Sequence, residues 1–371
     1  MKKIVFVRSN PVNPDSRLEK EADTLGKNGY HVSILGWGRW KTPTSKEIKE
    51  NYSIYRISLR APVGMAIVFF WPIWWILEFL WLLTHSWDVV HVADFDCYLP
   101  ALCVTKLKRK KIVYDIFDFY PDMVPLPKPV QKIFATIDKK TMNYADAIIV
   151  VDSCRFKQID HDDGDGITVI YNSPNDLNKD ESITTDSDYF RIFYGGGLQP
   201  DRDVVSMIHV TGDIKNTSIV IAGGGHTNEI QRVVDACNTV NSATYLGPVP
   251  YHTILEYSLM SDVLYALYDP AIPNNRLASP NKLFEAMMCG KPIIVNEGVA
   301  TADKVREENC GLVVPYGDYE ALKEAVLTLK NNPELRKELG ENGRRAYETK
   351  YNWKIMEKRL LDLYASLEEK Q

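Results

Sequence analysis

Residues 191–225 read RIFYGGGLQPDRDVVSMIHVTGDIKNTSIVIAGGG. An apolar run at 191–194 ends in Gly195-Gly196-Gly197. Residues 204–210 carry apolar side chains at helical spacing. A second apolar run at 218–222 ends in Gly223-Gly224-Gly225. Strand, glycines, helix, strand, glycines is the repeat of a parallel sheet with crossover helices. The pattern extends in both directions. Downstream, 244–246, 263–267 and 292–295 read as further strands. Upstream, 3–7, 31–35, 88–92, 112–114, 147–151 and 169–170 do so, with helices at 17–28 and 99–108 between them. Residues 173–189 are polar and acidic, and read as a linker. The reading is α/β, with two doubly wound parallel-sheet domains: residues 1–172 and 190–350. Residues 351–371 form a C-terminal helix, with Trp353, Met356, Leu360, Leu361 and Tyr364 on one side, expected to pack back across the cleft between the domains.

Composition agrees with this. The chain has 371 residues, 45% hydrophobic and 25% charged, which suits two globular domains and excludes collagen, long coiled coil and wholesale disorder. Six cysteines form no Cys-x-x-Cys, and none pairs with the seven histidines in a zinc-like spacing. They read as reduced thiols of a cytoplasmic protein. The apolar run at 4–7 is too short for a signal peptide. The first 140 residues carry 21 Lys and Arg against 14 Asp and Glu, and the remainder 23 against 35. A basic half suits phosphate or an anionic membrane surface. A pI near 5.9 and the lack of an arginine-rich stripe disfavour nucleic acid.

Residues 279–292, SPNKLFEAMMCGKP, carry the most chemistry. Ser279 suits an N-cap and Pro280 the first helical position, while Gly290 and Pro292 stop the helix at 289. Free N–H groups and the positive dipole end make such a start an anion site. Lys282 in its first turn opposes the dipole, which an anion would relieve. Glu285 lies one turn from Asn281, and its carboxylate suits a ribose diol. Gly196 and Gly197 leave backbone open to a ligand, with Arg202 placed to clamp phosphate oxygens. Gly223 follows a second strand. A plainer reading fits the same residues: a capped surface helix and two ordinary strand-to-helix turns.

Taken together, these residues make the chain resemble a family 4 glycosyltransferase along nearly its whole length. The resemblance rests on Asp15-Ser16-Arg17 with Gly29-Tyr30-His31-Val32, on Asp88-Val89-Val90-His91, and on Tyr114-Asp115 with Tyr120-Pro121-Asp122. It also rests on Gly196-Gly197-Leu198 with Arg202, on 280–287, on Gly311-Leu312-Val313-Val314, and on 332–335 through 343–345 to 351–353. It implies the GT-B fold and a retaining enzyme that uses a nucleotide-diphosphate sugar of UDP or GDP type. No metal and no further cofactor is implied. Donor-binding residues would be Gly196, Gly197, Arg202, Gly223, Pro280, Asn281, Lys282, Leu283 and Glu285, with 247–251 near the nucleobase. Arg17, His91 and Asp94 would serve the acceptor. Arg202, Lys282, Asp94 and Asp118 would be the catalytic candidates. The chain departs from the pattern at Ala93, Phe117, Gly197 and Leu277, where the family has polar residues. An inert partner subunit and a nucleotide-sugar epimerase are the alternative readings.

Residues 61–83, APVGMAIVFFWPIWWILEFLWLL, contain one charge, Glu78. The length suits a membrane span. A single crossing would separate strands assigned to one sheet, and Pro72 is read as interrupting the helix. The expectation is a helix or hairpin lying in the membrane interface, where Trp is at home. Lys106, Lys108, Arg109, Lys110 and Lys111 would aid it on anionic lipid. A lipid-linked saccharide acceptor and residence at the inner face of the cell membrane follow as expectations.

Overall fold

The computed structural model describes residues 2–39, 44–62, 65–123, 127–161, 164–177 and 189–369. Most of the linker expected at 173–189 lies outside them. The chain divides into two units, Met1–Tyr171 with Met356–Gln371, and Asn172–Ile355.

In the first unit the strands are β1 (Lys3–Arg8), β2 (His31–Gly38), β3 (Lys46–Ile48), β4 (Tyr52–Ser58), β5 (Val89–Ala93), β6 (Lys111–Ile116), β7 (Ala147–Val150) and β8 (Ile167–Val169). Their order is β3-β4-β2-β1-β5-β6-β7-β8, parallel except for β3. β1 and β5 are buried along most of their length, as strands covered by helices on both faces must be. The strand order reverses between β1 and β5, so the loops after these two strands flank the switch point where such sheets bind ligands.

The second unit holds β9 (Phe190–Gly195), β10 (Thr217–Ala222), β11 (Ala243–Tyr245), β12 (Val263–Ala266), β13 (Ile293–Asn296) and β14 (Gly311–Val314). Their order is β11-β10-β9-β12-β13-β14. The reversal here falls between β9 and β12.

Several expectations change in detail. β3 and β4 were not legible as strands. β4 buries Arg56, whose guanidinium donates to the carbonyls of Pro11 and Val12 and pairs with Glu47 at 2.7 Å. A polar residue at a core-facing position masks the strand pattern. The helix expected from residue 99 begins at Phe95 and runs to Lys108, with Pro100 inside it. Proline has no N–H for the carbonyl of Asp96. The Trp75 indole N–H takes that carbonyl instead, at 2.7 Å. Pro72 does not interrupt the apolar segment. It stands in the first turn of the helix Trp71–Thr84, where a missing N–H costs nothing, and a 3-10 turn, Met65–Phe70, precedes it. Both β4 and β5, on either side of this helix, belong to one sheet, so the helix lies on the unit and does not separate its strands. The basic cluster at 106–111 is largely taken up. Lys108 donates to the carbonyls of Leu82 and His85, Lys110 pairs with Asp88, and Lys111 with Asp146.

The C-terminal helix, Trp353–Glu369, returns from Met356 onward to the first unit. Met356, Leu360 and Tyr364 on its inner face are buried.

Candidate functional site

In the second unit the chemistry gathers beyond the ends of β9 and β12. After β9 the backbone passes Gly196 at φ 154° and after β10 Gly223 at φ 142°. The two loops bond to each other, Gly196 N–H to the Ala222 carbonyl at 2.9 Å and Leu198 N–H to the Gly224 carbonyl at 2.8 Å. A Cβ on Gly223 would stand 1.8 Å from the Gly196 carbonyl oxygen. Gly223 is therefore glycine so that the loops can touch. Gly197 stands open, since a Cβ there meets nothing closer than the Gln199 amide at 3.9 Å.

A Cβ on Gly196 would stand 2.7 Å from the Lys282 Nζ. The missing side chain is thus the room that the ammonium occupies. Lys282 lies in the first turn of the helix Asn281–Cys289, whose N-cap is Pro280, with no side-chain cap. Ser279 is not the cap: the chain enters the helix one residue later than expected, because Pro280 is extended at ψ 142°. Lys282 is only 7% exposed. Its Nζ lies over the Tyr194 ring at 4.6 Å and the Tyr268 ring at 5.8 Å, and among the described residues it forms no ion pair. Burial alone would lower its pKa, but Tyr194, Tyr268 and Glu285 outweigh that and raise it. The side chain is therefore a buried cation held by ring faces and no salt bridge.

Arg202 stacks on the same Tyr268 ring at 4.1 Å. Its guanidinium pairs with Asp201 and reaches Asn275 Oδ1 at 3.4 Å. Asn275 also donates to Asp201 at 2.7 Å. Tyr268 is fixed from β13, where Asn296 accepts its N–H at 2.7 Å and donates to its carbonyl at 3.0 Å. Glu285, one turn after Lys282, accepts from the Tyr251 hydroxyl at 3.0 Å. Leu283 is a correction. Its side chain is wholly buried and its N–H bonds the Pro280 carbonyl at 3.1 Å, so it offers a donor nothing. Asn281 flanks Lys282 at the helix start.

In the first unit Asp94 follows β5 at φ 66°, an unusual conformation for a non-glycine residue. Its carboxylate accepts the N–H groups of Phe117 and Asp118 at 2.9 and 3.1 Å and pairs with Arg8 at the end of β1. Burial pushes the Asp94 carboxyl up to about 6, although Arg8 opposes it. Asp118 is half-exposed and pairs with Arg155 at 2.8 Å. Phe117 lies between the guanidinium groups of Arg8 and Arg17, at 4.5 and 4.7 Å.

Arg17 reaches this cluster only over the Phe117 ring, and His91 does not join it. Arg17 pairs with Asp115 at 3.1 Å and with Glu21 at 3.2 Å. His91 has no accessible surface, and its Nε2 lies 3.3 Å from Asp115. Burial lowers the His91 pKa, so the ring is neutral. Its Nδ1 then accepts from the Tyr364 hydroxyl at 2.9 Å. This corrects the acceptor role expected for His91: the ring pins the C-terminal helix to the sheet. Glu21, His91 and Asp115 are also close enough to share a metal ion, a grouping that sequence spacing does not reveal. The guanidinium of Arg17 already pairs with both carboxyl groups and supplies the positive charge there, so the trio does not fit a metal cation.

Sequence reasoning missed Arg8, Tyr194, Tyr268, Asn275 and Asn296. Arg8, Tyr194, Tyr268 and Asn296 stand at or just beyond strand ends, where an aromatic or amide looks like core or turn, and Asn275 lies in the short helix Pro273–Arg276.

Residues 175–346 match the family Glycosyl transferases group 1. An uncharacterized glycosyltransferase of Methanocaldococcus jannaschii is 27% identical over 209 residues, 56% of each chain. The capsular polysaccharide biosynthesis glycosyltransferase CapM of Staphylococcus aureus is 24% identical over 186 residues, 48% of this chain and 46% of that one. The matches thus span about half the length of these curated relatives. Among solved structures, sucrose-phosphate synthase of Thermosynechococcus elongatus superposes with a TM-score of 0.81 at 16% identity over the whole of both chains. Anabaena HepE in complex with UDP-glucose does so with 0.71 at 13%, covering 99% of this chain and all of that one. The chain therefore has the GT-B fold, and residues 175–346, in its second unit, are similar to the Glycosyl transferases group 1 family.

Proposed function

We propose that the protein is a retaining, family 4 glycosyltransferase. It moves a sugar from a nucleotide-diphosphate sugar to a lipid-linked saccharide in surface glycan assembly, at the inner face of the cell membrane. The observation that carries this reading is Lys282, a buried cation without an ion pair at a helix N-terminus beside Arg202. Such a site calls for a diphosphate. Departure of the nucleoside diphosphate concentrates negative charge on the leaving oxygen. Lys282, Arg202 and the helix start meet that charge more strongly than they meet the intact donor, which is how a site gains rate. The acceptor oxygen bonds to the anomeric carbon as the bond to the phosphate oxygen breaks, and the acceptor proton passes to that departing oxygen. Glu285, held by Tyr251, takes the donor ribose. Asp94 and Asp118 serve the acceptor hydroxyl from the first unit. The names of CapM and of the UDP-glucose complex of HepE support the substrate class.

The Phe117 ring between Arg8 and Arg17 favours a second reading, an inert partner subunit, because the family has a polar residue there. One experiment separates the two. A panel of nucleotide sugars is incubated with the protein, with and without short polyprenyl-diphosphate saccharides, and products are read by mass spectrometry. Transfer from one donor that needs the acceptor and is lost in Glu285→Ala supports the enzyme. Donor binding without transfer across the panel rejects it.

A further inference from the structure

We propose that the outer face of the helix Trp71–Thr84 rests on the headgroup layer of an anionic bilayer, with lysines of a neighbouring helix as its electrostatic rim. The proposal deepens the membrane residence proposed above and rests on that part of the reading, not on sugar transfer: it names the surface that would meet the membrane.

The segment Ala66–Thr84 is apolar enough in length and composition to enter a membrane, and only 28% of it is buried. Its outward residues are Phe69, Ile73, Ile76, Leu80 and Leu83, with Phe69 82% and Ile76 60% exposed. They recur every three or four positions and so form one continuous stripe. The only charged side chain of this segment, Glu78, points the other way and has no accessible surface. A helix facing water places these groups in the reverse order. The inner face is firmly held, with Trp74 stacked on Trp37 at 5.2 Å and the Trp75 indole bonded to the Asp96 carbonyl. The stripe is therefore presented on a rigid support, and it is larger than a chance exposed side chain.

Charge selects the occupant. Phe134, on the helix Lys128–Met142, meets Trp71 edge-on at 6.0 Å. That helix exposes Lys128 and Lys132, neither with an ion pair among the described residues, along with Ile133, which is also exposed. These lysines stand on the helix that packs against Trp71, at the start of the stripe helix. A second copy of the chain would bring the same lysines to the shared face and add like charge there. Anionic headgroups neutralise them instead.

The test is flotation of the full chain with vesicles of phosphatidylcholine alone and with added phosphatidylglycerol, with no sugar donor present. The wild type is expected to float, and more strongly on the anionic vesicles. Ile76→Asp with Leu80→Asp should weaken partition at least about 100-fold. Lys128→Glu with Lys132→Glu should weaken it about tenfold on anionic vesicles alone. A wild type that does not float, or floats equally on both, overturns the proposal. So does a stripe variant that floats like the wild type, or a wild-type dimer that the stripe variant converts to monomer. If the stripe variant fails to fold, brominated lipids decide: quenching of wild-type tryptophan fluorescence is expected, and its absence contradicts the proposal. Loss of sugar transfer with flotation intact would count against the enzymatic reading alone.

Discussion

Lys282 and Asp94 carry most of the proposed chemistry, for opposite reasons. Lys282 is a cation that burial disfavours and whose partners are ring faces. Replacing it by Ala should leave the fold intact and lower kcat/KM at least about 100-fold, read in steady-state kinetics. Asp94 is an anion that burial holds near 6. Its ionised form disappears as pH falls through that value, so kcat/KM should fall below about pH 6. Asp94→Asn should remove that acid limb from the pH profile along with most of the activity. Lys282, Glu285 and Arg202 stood out in sequence by their places at a helix start and after a glycine run, although a surface helix and ordinary turns fitted the same residues. Tyr194 and Tyr268 were not, because an aromatic at a strand end looks like core until its ring is seen beneath a cation. His91 misled for the converse reason: its strand pattern matched, but its ring faces Asp115 and Tyr364.

At the scale of elements, the strands were read well because parallel strands are continuous apolar runs. β4 escaped because Arg56 bonds backbone carbonyls inside the unit. The start of the helix Phe95–Lys108 escaped because Pro100 marks a helix start in sequence, whereas here an indole replaces its missing hydrogen bond. Trp75→Phe should leave the Asp96 carbonyl without that donor. A loss of about 1–2 kcal/mol in denaturant unfolding is expected. The glycine loops make a sharper prediction. Gly196→Ala should displace Lys282 from its place and weaken nucleotide binding about tenfold or more, whereas Gly197→Ala, with open space around it, should bind nearly as the wild type does. Calorimetric titration of both variants checks this.

At the scale of the molecule, the two sheets and their switch points follow from the order of strands, and the strand order from the sequence rhythm. What spacing could not give is the electrostatic character of the first unit. Burial raises Asp94 to about 6 and Asp138 to about 7, and it pushes Glu21 and Glu78 up as well. Each carboxyl keeps its proton when folded at a pH where the unfolded chain has released it. The stability this contributes is full below about pH 4 and is lost as pH rises through 6 and then 7. The first unit should therefore unfold at lower temperature at about pH 8.5 than at about pH 5.5. Asp138→Asn, which keeps an acceptor for the Tyr114 hydroxyl, should recover at least about 1 kcal/mol at the higher pH. Thermal unfolding by circular dichroism across this range is the check.

The central claim is that the buried Lys282 cation awaits a nucleotide diphosphate. Isothermal titration of UDP and of GDP into wild type, Lys282→Ala and Lys282→Arg tests it most directly. The account predicts saturable binding of one of the two nucleotides, weakened at least about 30-fold by Ala and partly restored by Arg. Binding of neither nucleotide, or equal affinity in wild type and Lys282→Ala, would contradict it.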